Sequence, residues 1–319
     1  MKTRYLFVFL LCCLFKQRAS AGPFKVRFVT DWYPQPEHGG YYHALVNGYY
    51  AAAGLDVEII PGGPTTFAVQ RVATGAADIG MLNTDGVLEA NDRHIPTVAI
   101  CATFQHDPQA LMLHATDPVK DWPDLDGRSI AMTPGNTWFP FLAKKYKLKK
   151  AREIPLTYSV AAFIKDPAFI QQIFITSEPF FVRQAGVEPK VMLLSEAGFD
   201  PYRVSFTTPK LIREHPEVVR GFVEASIRGW REYLANPKSA HEAVRKLNPE
   251  LTPERMDFSY KALRDGHFIE GNPGKGEAIG GFLEARWKSQ YAILKDVGVI
   301  SGNFDLTNTW TGAFCNPGH

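Results

Sequence analysis

Cysteine is scarce in this sequence. The 319-residue chain has four, and Cys12 and Cys13 fall within the first 21 residues. That leaves Cys101 and Cys315, too few for a disulfide scaffold or a cluster of metal-binding thiolates. The two either pair in an oxidising compartment or stand as small buried groups. Also missing are the short patterns of familiar catalysis: there is no Gly-x-Ser-x-Gly turn, no His-Glu-x-x-His pair and no Gly-x4-Gly-Lys-Ser/Thr loop. Beyond the N-terminus no run approaches the ~18–20 apolar residues of a membrane span, and mean hydropathy is −0.16, so a polytopic membrane protein is excluded. Neither sign of charge prevails, with 35 basic against 33 acidic residues. Internal repeats and low-complexity segments are absent.

What is present is material for a packed core: 45% of residues are hydrophobic and 21% charged, which argues against disorder. The length suggests about two domains. The N-terminus stands apart. Lys2 and Arg4 open it, Tyr5 to Phe15 form an apolar stretch, and Ala19-Ser20-Ala21 has the small-x-small pattern of a cleavage site. Residues 1–21 are therefore expected to be a cleaved secretory signal peptide. Leu11 stands before Cys12 where lipidation needs a small residue, which argues against a lipoprotein. Without Lys2, Arg4, Lys16 and Arg18 the remaining 31 basic residues face 33 acidic ones, a net charge of about −2. Such a chain has no global electrostatic footprint for nucleic acid or for anionic membranes.

The pattern along the chain is that of an α/β protein. Residues 24–30, 55–61 and 78–82 read as strands, with helices over 41–53 and 66–74 between them; Gly54 ends the first helix. Strand–helix–strand alternation implies a parallel sheet with crossover helices. Further strands are expected at 95–104, 109–116, 129–132, 173–176, 190–196 and 202–208, and helices from about Asn136 and within 167–172. Helices dominate after Pro209, over 217–234, 253–265 and 281–296. One arrangement fits: residues 22–112 begin one lobe, 113–201 form a second, and 202–319 complete the first. The chain would cross near Gln109–Ala115 and return near Asp200–Thr208. Two crossings make a hinge and leave a ligand cleft between the lobes.

Several segments together resemble a known family. Asp31, Trp32, Pro34, His38, Gly39 and Tyr41 nearly complete a D-W-x-P-x-x-x-H-x-G-x-Y motif. GYYAAAGLDVEIIPGG (48–63), GAADIGMLNTDGVL (75–88), TPGNTWFPFL (133–142), ITSEPF (175–180) and VVRGFVEASIRGWREYLANP (218–237) follow in order. Over residues 24–300 this is similar to the thiamine-pyrimidine-precursor family, which unites periplasmic ABC-importer binding proteins with a fungal thiamine-pyrimidine synthase. The resemblance implies a two-lobed, type II-like periplasmic binding protein fold that closes on a small molecule and docks on a membrane permease with its ATPase. The expectation is a monomeric, non-enzymatic binding protein in the periplasm, with no cofactor and no metal, taking a small planar nitrogen heterocycle such as a thiamine pyrimidine precursor. Organic anions, as bound by sulfonate and taurine relatives, are the alternative. Synthase activity is the less favoured third reading, because the iron-binding cysteine-rich motif of the synthase has no counterpart here.

Residue types at strand ends supply the candidate ligand contacts. Trp32 follows the first strand in a Pro-rich loop, where its ring can stack on a flat ligand, the alternative being a core tryptophan. His38 matches the family motif, as a ligand contact or a loop hydrogen bonder. Gly63 and Thr65, and Asn136 and Thr137, lie in loops expected to precede helices, where amide groups favour an acceptor; ordinary N-capping is the competing role. Asn83 follows a buried strand and ranks before Asp85. Trp138 opens a second-lobe helix and could sandwich a ring with Trp32. Glu178 can accept from an exocyclic amino group and a protonated ring nitrogen together, or cap the helix after it. Tyr202 lies beside the return crossing. Arg183 and Arg203 are the basic groups available to an anion, and the basic run 144–152 reads as a solvated face.

Overall fold

Alternating side chains turn Phe24–Val29 (β1) and Leu55–Ile60 (β2) into half-buried strands, while Val98–Phe104 (β4) is buried throughout. With Ile79–Asn83 (β3) and Arg203–Thr207 (β10) they form one five-stranded sheet, order β2-β1-β3-β10-β4. Gln109–His114 (β5), Ser129–Met132 (β6), Arg152–Pro155 (β7), Ile170–Phe174 (β8) and Pro189–Leu193 (β9) form another, order β7-β6-β8-β5-β9. The architecture comes from a computed structural model that describes residues 22–315; the expected signal peptide lies outside the described residues. Both sheets share one plan. Three parallel strands are followed by one antiparallel strand inserted before the last: β10 in the first sheet and β5 in the second.

Those inserted strands are the chain's entry into each lobe, and this moves the expected crossings. β5 pairs along its whole length inside the second sheet, so the first crossing is Gln105–Pro108, upstream of the expected Gln109–Ala115 and of a boundary at 112/113. β10 likewise belongs wholly to the first sheet, so the return is 198–202. Apolar stretches that read as linking strands were in fact central strands, which are apolar because both faces are covered. β8 starts three residues before the expected strand at 173–176, and the helix expected within 167–172 is Ala161–Lys165.

The first lobe's core lies between its sheet and the helix Pro216–Ala235. Val219, Phe222, Val223, Trp230 and Tyr233 recur at helical spacing and are buried. Phe28, Tyr41 and Phe222 meet ring to ring beneath it. The helix crosses Gly39–Val46 at contact distance because both carry glycine there. A Cβ on Gly229 would run into the Gly40 carbonyl and Ala44, and one on Gly40 into the Trp230 ring. Cys101 and Cys315 are buried free thiols, and the Cys315 thiol donates to the Ile100 carbonyl at 3.2 Å. No described helix is long and apolar enough to cross a membrane.

Candidate functional site

The loops after β1 and β3 face those after β6 and β8 across the gap between the sheets. They enclose a cavity of about 430 Å³. Among the expected residues Trp32, His38, Gly63 and Asn83 line it from the first lobe, and Asn136, Thr137, Trp138 and Glu178 from the second. Thr65 does not. The turn closed by the Thr66 N–H to the Gly63 carbonyl (2.9 Å) leaves Thr65 exposed, and Pro64 and Thr66 line the wall instead. Tyr202 is also outside the lining. It is buried beneath the Arg286 guanidinium (4.0 Å from the ring centre), and its hydroxyl accepts the Leu283 N–H at 3.0 Å. Arg203 lines the cavity, whereas Arg183 is paired with Glu188 at the surface.

The helix-start reading holds for one loop only. Asn136 Oδ1 accepts the Phe139 N–H at 2.9 Å and so caps the helix Trp138–Tyr146. Thr137 caps nothing; its hydroxyl donates across the gap to Asp85 of the first lobe. The Gly62–Thr65 loop starts no helix, since Ala68–Ala73 begins later behind an uncapped Phe67. Asn83 donates to Asp107 Oδ2 at 2.8 Å.

The aromatic arrangement differs from the expected sandwich. Trp138 is 2% exposed and belongs to the second lobe's core, its indole N–H without a partner among the described residues. The ring facing Trp32 across the gap is Tyr158, at 5.3 Å between centroids and 42° between planes. Tyr158 is half exposed and has φ of +56°, uncommon for a residue with a Cβ. An aromatic in a polar loop after a short strand was the only sequence signal for it, and β7 itself was not anticipated.

Acidic side chains outnumber basic ones in the lining. Asp31 accepts from His38 Nε2 at 2.9 Å and is ion-paired with Arg203. Burial lowers His38 to about 4, so its ring is neutral, and lowers Arg203 to about 10, so it stays charged between the Phe174 and Phe104 rings. Glu178 accepts the Phe174 N–H at 2.9 Å, and burial pushes its carboxyl up to about 7. Glu37 and Asp85 are buried and raised for the same reason. Thr176 of the second lobe donates to Glu37, matching the Thr137–Asp85 bridge. The lining contains no lysine, and among the described residues no three His, Cys, Asp or Glu side chains are grouped to hold a metal ion.

Behind the cavity a charged brace holds the hinge. Asp200 on the return crossing accepts the Asp107 N–H (3.0 Å) and contacts His106 Nδ1 (2.6 Å) on the outgoing one. His106 Nε2 reaches Glu277 at 3.0 Å, and Arg286 contacts both carboxylates. Hydrogen bonding to Asp200 raises His106 above the ordinary imidazole value. Asp107 is buried with its carboxyl pushed up to about 8. None of these partnerships is readable from sequence, because they join residues up to 171 positions apart.

Two lobes, a cavity in the gap and a hinge between them define the class. The family described as NMT1/THI5 like matches residues 35–240, and the chain belongs to it. The riboflavin-binding protein RibY of Chloroflexus aurantiacus is 26% identical, over 92% of this chain and 87% of the relative. The formylaminopyrimidine-binding protein of Halalkalibacterium halodurans is 23% identical, over 85% of this chain and 88% of the relative. A Saccharomyces cerevisiae 4-amino-5-hydroxymethyl-2-methylpyrimidine phosphate synthase is 22% identical over 74% of each. The periplasmic aliphatic sulphonate binding protein SsuA of Escherichia coli superposes with a TM-score of 0.72 at 12% identity, over 93% of this chain and 96% of the other. The fold is that of periplasmic binding proteins.

Proposed function

We propose that this protein is the solute-binding component of an ABC importer. In this reading residues 1–21 export it to the periplasm, where it works as a monomer, closes on a small planar nitrogen heterocycle such as a thiamine pyrimidine precursor, and passes it unchanged to a membrane permease and its ATPase. The observation that carries the reading is the cavity between the lobes with Trp32 and Tyr158 meeting across it and Glu178 in its wall. A flat ring can stack on the aromatic faces while the carboxylate accepts from ring substituents. Relatives named for riboflavin and formylaminopyrimidine, both planar nitrogen heterocycles, support the same ligand class.

The competing readings draw less support. An organic anion would need a free cation, and Arg203 is already committed to Asp31. A synthase using pyridoxal phosphate would need a lysine for its aldehyde, and neither a lysine in the lining nor a metal-ligand cluster among the described residues fits that chemistry. Mass spectrometry of small molecules released from freshly purified protein identifies the ligand. Titrating it back while following tryptophan fluorescence tests the stacking role: Trp32→Ala and Tyr158→Ala should each weaken binding about tenfold or more, since an aromatic contact contributes ~0.5–1.5 kcal/mol beyond its buried area. Unchanged affinity in both variants removes the aromatic clamp from the reading.

A further inference from the structure

The pairing of β6 with β8 ends at Ala131–Gln171. Beyond it, side chains take up backbone N–H groups at the two strand ends. Gln172 Oε1 accepts the Thr133 N–H at 2.9 Å, as Glu178 Oε2 accepts that of Phe174. All four residues line the cavity. A backbone N–H can donate only to the oxygen of an amide, so this bond fixes which way the Gln172 amide faces. Its oxygen is spent on the fold, and Nε2 is left over as a donor. That nitrogen has no hydrogen-bond partner among the described residues, and it is not closed off as Gln171 Oε1 is on the other face of the strand. Gln172 is 6% exposed, and it is the cavity that it faces. A donor held in a largely buried wall without a partner is one that a guest can complete.

We propose that Gln172 is a specificity-determining residue, donating from Nε2 to a ring nitrogen or ring carbonyl of the ligand while Glu178 accepts from an N–H of the same molecule. The inference rests on the solute-binding reading and deepens it: the guest must carry an acceptor as well as a donor. A ring without an acceptor would strip the amide nitrogen of water and return nothing, and that cost selects against it. Turning the amide over would set its NH2 group against the Thr133 N–H. The site therefore offers a donor at this point and not an acceptor, and it does so before any ligand arrives.

Calorimetric titration with two probes tests this: 4-amino-5-hydroxymethyl-2-methylpyrimidine and 2-amino-4-methylbenzyl alcohol. The second is the same molecule with both ring nitrogens replaced by C–H. Wild type should bind it at least about tenfold more weakly than the pyrimidine. Gln172→Leu, and Gln172→Glu at pH 9 where the introduced carboxyl carries no proton, should each weaken the pyrimidine about tenfold or more. Neither should weaken the carbocycle, whereas a folding or loop defect would weaken both probes alike. Gln172→Glu keeps the oxygen that Thr133 needs, so a merely structural role would spare that variant. Where the pyrimidine does not bind, riboflavin, whose ring carries both an N–H and acceptors, takes its place with the same two variants. The proposal is overturned by a carbocycle bound as tightly as the pyrimidine, by undiminished affinity in Gln172→Glu, or by wild type binding neither heterocycle. The first two results leave the solute-binding reading standing. The third removes the planar heterocycle as its ligand as well.

Discussion

Glu178 shows what a buried carboxylate in the cavity wall costs the fold. Its carboxyl is held at about 7 against an ordinary 4.5, chiefly by burial. Between those values the folded protein keeps a proton that the unfolded chain has released, so this group lowers stability progressively as pH rises from about 4.5 to above 7. Replacing it with glutamine removes that dependence. Glu178→Gln should therefore gain about 1–2 kcal/mol over wild type at pH 8 and little at pH 5, measured by denaturant unfolding without ligand. A pH-independent difference would contradict the burial of the charge. Its place in the cavity wall was legible because a carboxylate a few residues after an apolar strand stands out. Tyr202 misled for the related reason that proximity to a crossing in sequence says nothing of which way a ring turns. Tyr158, Glu37 and the Asp31–Arg203 pair were illegible as a site, since their significance comes from what the other lobe places opposite them.

At the scale of elements, the helix Pro216–Ala235 is the piece the sequence announced most clearly, through its long helical periodicity. Its contact with Gly39–Val46 depends on glycine in both partners. Gly229→Ala should cost about 1–3 kcal/mol of stability by overpacking, seen as a lowered denaturation midpoint. Gly312→Ala, where a Cβ meets nothing within 4 Å, should be nearly neutral. Equal effects of the two would mean that the helices have room to part. The strands were found almost everywhere that apolar residues cluster, but their membership was not. β5 and β10 are apolar and short like any linker strand, and only pairing reveals that each is the inserted antiparallel member of its sheet. Arg152–Pro155 escaped notice because its burial is slight and two of its four residues are charged.

The whole molecule is two matching sheets joined by a charged hinge, and the hinge carries its own pH signature. His106 sits between Asp200 and Glu277, with Arg286 touching both acids. Its raised value means that its stabilisation is fully present below the ordinary imidazole range and fades as pH rises through the folded value. His106→Gln should thus destabilise the protein clearly at pH 6 and much less at pH 9; an equal loss at both would make the histidine a neutral spacer. The two-lobed plan could be read from strand order, because parallel strands demand crossovers and a late return to helices demands a second visit to the first lobe. The closed geometry could not, since bridges such as Thr176–Glu37 and Thr137–Asp85 join loops of different lobes.

Closure around an unaltered guest is the central claim, and small-angle X-ray scattering of the purified protein measures it directly. The ligand-free protein should show a larger radius of gyration than the closed form described here, contracting on addition of the small molecule recovered from the native protein. Identical scattering with and without that molecule, at concentrations where it demonstrably binds, would contradict a hinged mechanism.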